Sequence, residues 1–575
     1  MEGLTTGYTK REYNRNKWLY STGGIGRDML YTLVGTFFMT YVQFAIGLTA
    51  AQFAAVGVIL VISRVWDAVN DLMMGSIIEN SRLKWGKFKP WILIGAATCS
   101  VLAVLMFNLR PTGWGFVVFF GIIFLLWEAA FTINDISYWS MLPSLSLEKR
   151  QRDELATMTV VFANVGMFAA QALIPILTTG NARYAYGLLA CVFAAAMLLC
   201  QTMTSVFVKE NKAIVQPAEE NISFKQMFRI IRQNDQLLWV MLSCLLYYVA
   251  NGLFVALGYN FLYLEIGYDG GKVLIFVLTF AVCNTGAQSL YAMLAKRFSR
   301  KKLMLYGTVC ALLGYALMLI AGFVPFIPGN IVTFCAFGAL IFSGQALLYM
   351  VIIVNMTNTI EYNEYKTGER NESIVFSLRP FTQKLSTAIQ QIIVVGVLMV
   401  TMVYGLSQNI SALETQKNLF DRLNAGAQAD YLAHVTAIAD AGAGGAPADS
   451  AAWFEARNIT MDELTAQLMM DTQVMSREGL AVAMADAANW MRATYPDPNA
   501  QGATMEIRPA ADAGFMAQST LTMRVGLRLG VCLLPGAMIF FAYWLMRKRF
   551  IIDEAYYAKM MNEVEKNRLT VASEN

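Results

Sequence analysis

Long apolar stretches recur along this chain, with shorter polar segments between them. Prominent examples cover residues 28–61, 91–108, 115–136, 237–263, 273–293 and 521–546. A helix needs about 20 apolar residues to cross the hydrocarbon of a bilayer, so these stretches predict spanning segments. We count twelve such helices, which predicts an all-α membrane protein.

A polar segment separates the first six predicted helices from the last six, and we interpret it as a linker between two six-helix bundles. The predicted domains are a cytoplasmic N-terminus (1–26), an N-terminal six-helix bundle (27–208), a cytoplasmic linker (209–235), helices seven to eleven of the C-terminal bundle (236–405), an extracytoplasmic insert between helices eleven and twelve (406–520), helix twelve (521–547) and a cytoplasmic tail (548–575).

The insert does not fit a minimal chain of twelve helices. It is polar and rich in alanine, with fourteen Asp or Glu against six Lys or Arg. Thr460 to Glu463 has the spacing of a capping box and Pro496 ends the run that follows, which predicts a long helix. We expect a helical cap on the outer face. A role in gating or in partner binding is the alternative.

Composition and charge favour a multi-pass protein of the cell membrane. The chain is 57% hydrophobic and 15% charged, with a mean hydropathy of +0.47, which excludes the soluble classes. Basic clusters lie in alternate loops, at residues 82–89, 149–152, 296–302 and 547–549, and the positive-inside rule then places both termini in the cytoplasm. These clusters are topology signals and not nucleic-acid patches. We therefore expect the lipid bilayer as a partner and no nucleic acid. We also expect a monomer.

An enzyme is not expected. The single histidine, His434, lies in a polar region away from the apolar segments, which leaves no parts for a histidine-based triad or a zinc site. All eight cysteines fall inside apolar segments and are interpreted as small buried hydrophobic residues. We expect no cofactor.

The second predicted helix carries two aspartates on one face. Asp67 and Asp71 are four residues apart, with Asn70 beside them, and a charge at the centre of a membrane helix costs about 2.5–3.5 kcal/mol on insertion scales. A monovalent cation bound by carboxylate and amide oxygens would compensate this cost. Neutralisation of one aspartate by Arg64, one turn earlier, is the alternative.

The fourth predicted helix carries a polar stripe. Glu128, Thr132, Asp135 and Trp139 recur at spacings of four, three and four, which places them on one helical face. A carboxylate that accepts hydroxyl hydrogen bonds, beside an indole that packs on a pyranose ring, suits a sugar. For Trp139 alone, a core or interface position is the alternative.

Other charges fall in or near apolar runs. Arg27 and Asp28 open the first helix, and Arg379 and Lys384 lie in the eleventh, where we expect Lys384 to face a cavity and pair with an aspartate. The carboxylates of the membrane region outnumber its cations, and a bound cation is the simplest remedy.

Four strings of the chain, WDAVND, WGKFKPWILIG, FTINDISYWSMLPSLSLEKRQRDEL and NTIEYNEYKTGERNESIVFS, resemble the glycoside-pentoside-hexuronide:cation symporter family of the major facilitator superfamily. The similarity covers helices one to six, ten and eleven, and leaves out residues 406–520. It implies two pseudo-symmetric six-helix bundles that couple sugar uptake to a gradient of Na+, Li+ or H+ by alternating access. A lysolipid symporter of a related branch and a non-transporting membrane sensor are the alternatives.

The resemblance also implies roles for residues. The cation site matches Asp67, Asn70, Asp71 and Thr132, with the Na+ or H+ held at the two aspartates. The sugar site matches Asp28, Asp135 and Trp139, and Lys384 links the two sites. The cytoplasmic gate matches Lys87, Lys149, Arg150, Arg152 and Glu361. To these we add Glu128 for the cation, and Arg27 and Arg379 for the sugar.

Three residues depart from the family pattern. Val160 stands where an arginine is frequent, Glu128 stands where glycine is usual, and Arg379 adds a charge that a well-known member lacks. Because Arg379 is able to face a carboxylate, an acidic glycoside or uronide is a candidate substrate. Glu128 either takes up a proton near neutral pH, which makes transport partly proton-coupled, or stays ionised beside Arg64.

Overall fold

The computed structural model describes residues 10–80, 85–145, 149–209, 234–367, 372–408, 447–457 and 519–574, with a few single residues between 411 and 437. All regular secondary structure in these ranges is helical. The prediction of an all-α protein is confirmed. The long helix predicted after Thr460 lies outside the described residues.

The helices up to the predicted linker are α1 (Lys10–Gly35), α2 (Phe38–Ala45), α3 (Ala50–Asn80), α4 (Lys89–Asn108), α5 (Trp114–Met141), α6 (Lys149–Thr178) and α7 (Ala182–Phe207). Those that follow are α8 (Asp235–Ile266), α9 (Gly270–Ala295), α10 (Arg300–Ile320), α11 (Ile331–Thr367), α12 (Glu372–Val400), α13 (Ala448–Glu455), α14 (Leu521–Arg528), α15 (Leu534–Arg549) and α16 (Glu554–Glu574).

Ten spans within the described ranges are long and apolar enough to cross a membrane. Neither α1 nor α3 is counted: α1 is polar over its first turns, and the apolar part of α3, Ala50–Arg64, is short. Twelve spans and the predicted domain boundaries therefore stay predictions. The first helix begins at Lys10, so it takes in much of the polar stretch that the sequence analysis assigns to an N-terminal tail.

Packing divides the chain into two compact units. The first comprises Met1–Ala218, Gly267–Leu274 and Leu398–Met523, and the second comprises Glu219–Ile266, Ile275–Val397 and Arg524–Asn575.

In the first unit, α1 lies close against α6 and α7 because glycines occupy the crossings. A Cβ atom added to Gly166 would lie 2.2 Å from the carbonyl oxygen of Ile25, and one added to Gly26 would lie 2.4 Å from the carbonyl oxygen of Ala196. Only residues without a side chain allow helix backbones to approach this closely. The position of Arg27 and Asp28 on α1 is fixed by this packing.

The chain that follows α12 is anchored on the first unit. Met402 has a positive φ of 60°, which ends the helix, and Tyr404 then stacks on Phe53 with ring centroids 4.0 Å apart. The side-chain amide of Gln408 donates a hydrogen bond to the carbonyl of Gln43 over 2.7 Å. The first residues of the predicted insert are therefore built into this unit.

Candidate functional site

A buried arginine joins the first helix to the predicted sugar-binding stripe of α5. Arg27 donates to Asp135 over 2.8 Å and to Asp28 over 3.0 Å. Its guanidinium lies 4.9 Å from the ring centroid of Tyr138 and 5.3 Å from that of Trp139. The predicted sugar residues of the first unit are thus brought together, with Arg27 at their centre.

Two tyrosines hold this cluster in place. Tyr20 of α1 and Tyr138 of α5 stack with ring centroids 4.5 Å apart, and each phenol donates to the backbone carbonyl of the other residue. Both side chains are fully buried. They fix the register of α1 against α5, and therefore the distance between Arg27 and Asp135.

The cluster offers hydrogen-bond acceptors beside an aromatic face. One guanidinium is shared by two carboxylates, which leaves excess negative charge, and the side chain of Asp135 is 41% exposed against 18% for Asp28. Asp135 is therefore able to accept hydrogen bonds from a ligand while Arg27 holds it. Hydroxyl groups are donors of the kind that such a carboxylate binds.

The predicted cation residues converge where α3 meets α5. The hydroxyl oxygen of Thr132 lies 3.2 Å from Asp67 Oδ1 and 3.3 Å from Asp71 Oδ1. Asp67, Thr132 and Asn70 are all buried. Two carboxylates and a hydroxyl oxygen at one point form a set of hard ligands, which is the donor type that alkali ions require.

Arg64 and Glu128 complete this cluster. Arg64 Nη2 donates to Glu128 Oε1 over 2.5 Å, whereas its Nη1 lies 3.8 Å from Asp67 Oδ2. This contact places Glu128 beside Arg64, and the uptake of a proton by Glu128 stays a prediction.

In the second unit, Arg379 contacts two tyrosines. Its Nη2 donates to the phenol oxygen of Tyr349 over 2.6 Å, and its Nε lies 3.5 Å from that of Tyr248. Tyr349 also stacks on Tyr247, with centroids 5.1 Å apart. Lys384 lies further along α12 and is half-buried.

The family model described as MFS/sugar transport protein matches residues 19–420. The chain belongs to this family. The predictions of a multi-pass membrane protein of a transporter family, related to the glycoside-pentoside-hexuronide symporters and not to an enzyme family, are confirmed.

Similar proteins include the lactose permease of Lactobacillus delbrueckii subsp. bulgaricus, 27% identical over 391 residues that cover 64% of this chain and 60% of the relative. The raffinose carrier protein of Pediococcus pentosaceus is 26% identical over 412 residues, which cover 66% of this chain and 62% of that protein. The chain thus spans about three fifths of the length of these relatives.

Among solved structures, the inward-facing, unoccupied form of a bacterial homologue of the human lysosomal transporter Spinster shares the fold. Its TM-score is 0.55 at 10% identity, over 94% of this chain and 99% of that one.

The predicted gate residues of this family member lie at helix ends and in a loop. Lys87 precedes α4, with Nζ 5.4 Å from the ring centroid of Phe88. Arg150 and Arg152 lie in the first turn of α6, and Glu361 lies on α11 of the second unit. The side chain of Lys149 falls outside the described residues.

Two contacts between α1 and the N-terminal turns of α6 were not predicted from the sequence. Lys17 of α1 pairs with Glu154 over 2.6 Å, and the Tyr13 hydroxyl donates to the carbonyl of Gln151 over 2.9 Å. Sequence reasoning also missed Tyr20, Tyr138, Tyr248 and Tyr349. For Tyr138 a signal was present, because it follows Asp135 by three residues on the predicted stripe.

Proposed function

We propose that this chain is a secondary active symporter that couples the uptake of a sugar to a gradient of a monovalent cation by alternating access. The observation that carries the proposal is that α5 contributes to both clusters of the first unit. Thr132 contacts the aspartates of α3, and Asp135, three residues later, contacts Arg27 of α1. Less than one helical turn separates the two contacts.

A shared helix gives the two ligands a physical means to influence each other. A cation between Asp67, Asp71 and Thr132 restrains the same turn of α5 that presents Asp135. If each ligand favours the same position of this turn, each raises the affinity for the other by an equal factor. Such linkage is what gradient-driven accumulation requires.

The proposal assigns Asp67, Asn70, Asp71 and Thr132 to the cation and Asp28, Asp135 and Trp139 to the sugar, with Lys384 linking the two. The coupling ion is Na+, Li+ or H+, and no cofactor takes part. The protein acts as a monomer in the cell membrane with both termini in the cytoplasm, and residues 87, 149, 150, 152 and 361 form its cytoplasmic gate.

An acidic glycoside is a specific form of this substrate. Arg379 supplies a cation, and its hydrogen bonds in the described chain are with the neutral phenol groups of Tyr248 and Tyr349. A carboxylate would satisfy that charge better than a phenol does.

The test is uptake by the purified protein in proteoliposomes. A panel of neutral glycosides and matched uronides is offered while gradients of Na+, Li+ and H+ are imposed in turn. We expect accumulation above equilibrium under at least one gradient. Uptake that never exceeds equilibrium under any of the three would contradict symport.

A further inference from the structure

The guanidinium of Arg64 is a built-in cation beside the proposed cation site. Its side chain is 13% exposed, and those of its two neighbours, Asp67 and Glu128, are 6% and 5% exposed. Because solvent barely reaches these side chains, an arginine that pairs fully with Asp67 would compete with any exchangeable ion for the same carboxylate.

The geometry shows which carboxylate Arg64 contacts more closely. The guanidinium forms a charge-assisted hydrogen bond of 2.5 Å with Glu128, whereas its contact with Asp67 at 3.8 Å is an ion pair without a hydrogen bond. Glu128 belongs to α5, whereas Arg64 and Asp67 both belong to α3. The partner from the neighbouring helix therefore draws the guanidinium away from the aspartate on its own helix.

We infer that Glu128 is a positioning residue that keeps Arg64 from hydrogen bonding to Asp67 and so keeps the charge of Asp67 available, beside Asp71, to an exchangeable cation. The inference rests on the proposed cation site. It differs from direct ligation, in which a Glu128 oxygen would itself bind the ion, and from a proton-binding role.

The net charge of the four side chains distinguishes these three roles of Glu128. Glu128, Asp67 and Asp71 together with Arg64 carry a net charge of −2 when all are ionised. Glu128→Gln reduces this to −1 and leaves Asp67 to neutralise the arginine. The double variant Arg64→Gln/Glu128→Gln returns it to −2 and removes the guanidinium that would otherwise pair with Asp67.

The experiment follows the melting temperature of the purified full-length protein while one ion is titrated. NaCl and LiCl are each raised against choline chloride at constant ionic strength, and H+ is varied between about pH 5.5 and 8.5. The readout is the ion concentration that gives half of the maximal shift. Glu12→Gln, which loses an exposed ion pair with Lys209 in the same unit, is the matched control.

For the ion that shifts the wild type, Glu128→Gln should raise the half-maximal concentration by about tenfold or more, and the double variant should return it to within about threefold of wild type. Unchanged affinity in Glu128→Gln overturns the inference. A double variant as weak as Glu128→Gln also overturns it, because direct ligation predicts no rescue.

Two further outcomes are decisive. If Glu128→Gln does not fold, the double variant alone decides: wild-type affinity supports positioning, and lost affinity overturns it. A wild type indifferent to all three ions overturns the proposed cation site together with this inference, and sugar uptake measured separately shows whether transport itself survives.

Discussion

At the scale of single residues, the two clusters of the first unit differ in how far solvent reaches them. The side chain of Asp135 is 41% exposed, whereas that of Asp67 is 6% exposed. A ligand that arrives from solvent therefore meets the carboxylate of Asp135 far more readily than that of Asp67. This difference supports the assignment of the cation to the cluster around Asp67 and of the sugar to the cluster around Asp135.

Asp67→Asn and Asp71→Asn should each abolish accumulation against a gradient. Removal of one carboxylate halves the charge that holds an ion in a buried site, and we expect the cation affinity to fall by about tenfold or more, which is about 1.4 kcal/mol. Accumulation ratios in proteoliposomes measure this effect. Asp553→Asn, at an exposed pair with Lys301, is the control, and wild-type accumulation by both variants would sink the assignment.

Asp135→Ala and Trp139→Ala should weaken sugar binding and leave ion binding without sugar largely intact. A hydrogen bond to a charged group contributes about 1.5–3 kcal/mol, so the loss in affinity should reach about tenfold. Calorimetric titration with the sugar identified by the panel measures it. If both variants keep their sugar affinity, the sugar lies elsewhere.

Arg379→Gln should discriminate between substrates by charge. If the guanidinium binds a carboxylate, the variant loses affinity for a uronide by about tenfold or more, while affinity for the matched neutral glycoside changes little. Competition uptake with the two compounds checks this. Tyr349→Phe, which removes one contact of Arg379 and keeps the charge, should have the smaller effect. Equal losses for both compounds would exclude charge recognition.

At the scale of elements, the sequence predicted faces better than pairings. The spacing from Glu128 to Trp139 indicated one polar face of α5, and Asp67 and Asp71 indicated one face of α3, because both patterns depend only on the helical repeat. Arg64 lies within reach of Asp67 on its own helix. Its hydrogen bond to Glu128 was one of two alternatives for that glutamate, because the pairing depends on how α3 packs on α5, which no local pattern encodes.

The same limit applies to helix ends and neighbours. The described part of α1 runs back to Lys10 through polar residues, and hydropathy alone does not distinguish such a charged helical segment from a tail. Tyr248 and Tyr349 carry no spacing signal, since they lie on different helices, α8 and α11. Their convergence on Arg379 is a property of the folded second unit.

A buried ion pair fixes the start of the last span in the second unit. Arg528 is 1% exposed and donates to Glu265 of α8 over 2.8 Å. It also donates to the carbonyls of Leu319 and Ala321 at the end of α10, over 2.8 and 2.7 Å. One side chain thereby satisfies helix-end carbonyls and joins three helices.

Glu265→Gln and Arg528→Gln should each destabilise the protein by about 3–5 kcal/mol, because each leaves an uncompensated buried charge or unpaired carbonyls. Thermal unfolding in detergent measures the loss. Lys301→Gln breaks an exposed pair with Asp553 and should cost at most about 1 kcal/mol. If the two buried-pair variants melt at temperatures as high as that of Lys301→Gln, the buried pair adds no more stability than the exposed pair.

At the scale of the whole molecule, the family match ends inside the predicted insert. The match runs over residues 19–420, so most of the predicted insert lies beyond it. The described start of the insert is nevertheless part of the first unit, because Gln408 donates to the carbonyl of Gln43 over 2.7 Å, just after Tyr404 donates to the carbonyl of Leu48 over 2.8 Å. Any removal of the insert must therefore keep this anchor.

Deletion of residues 412–515, with the ends joined by a short flexible linker, should leave a folded and active transporter. It keeps Tyr404 and Gln408 on the first unit and Arg528 on Glu265 in the second. The free-energy cost of closing a loop grows only with the logarithm of its length, by about 0.6 kcal/mol per doubling, so a shorter connection is no burden.

Uptake per molecule of protein in the membrane is the measurement, and a longer deletion from residue 402 that removes the anchor is the contrasting variant. We expect the first deletion to retain uptake and the second to lose it. Normal membrane levels with no uptake after the first deletion would instead make the insert part of the transport cycle.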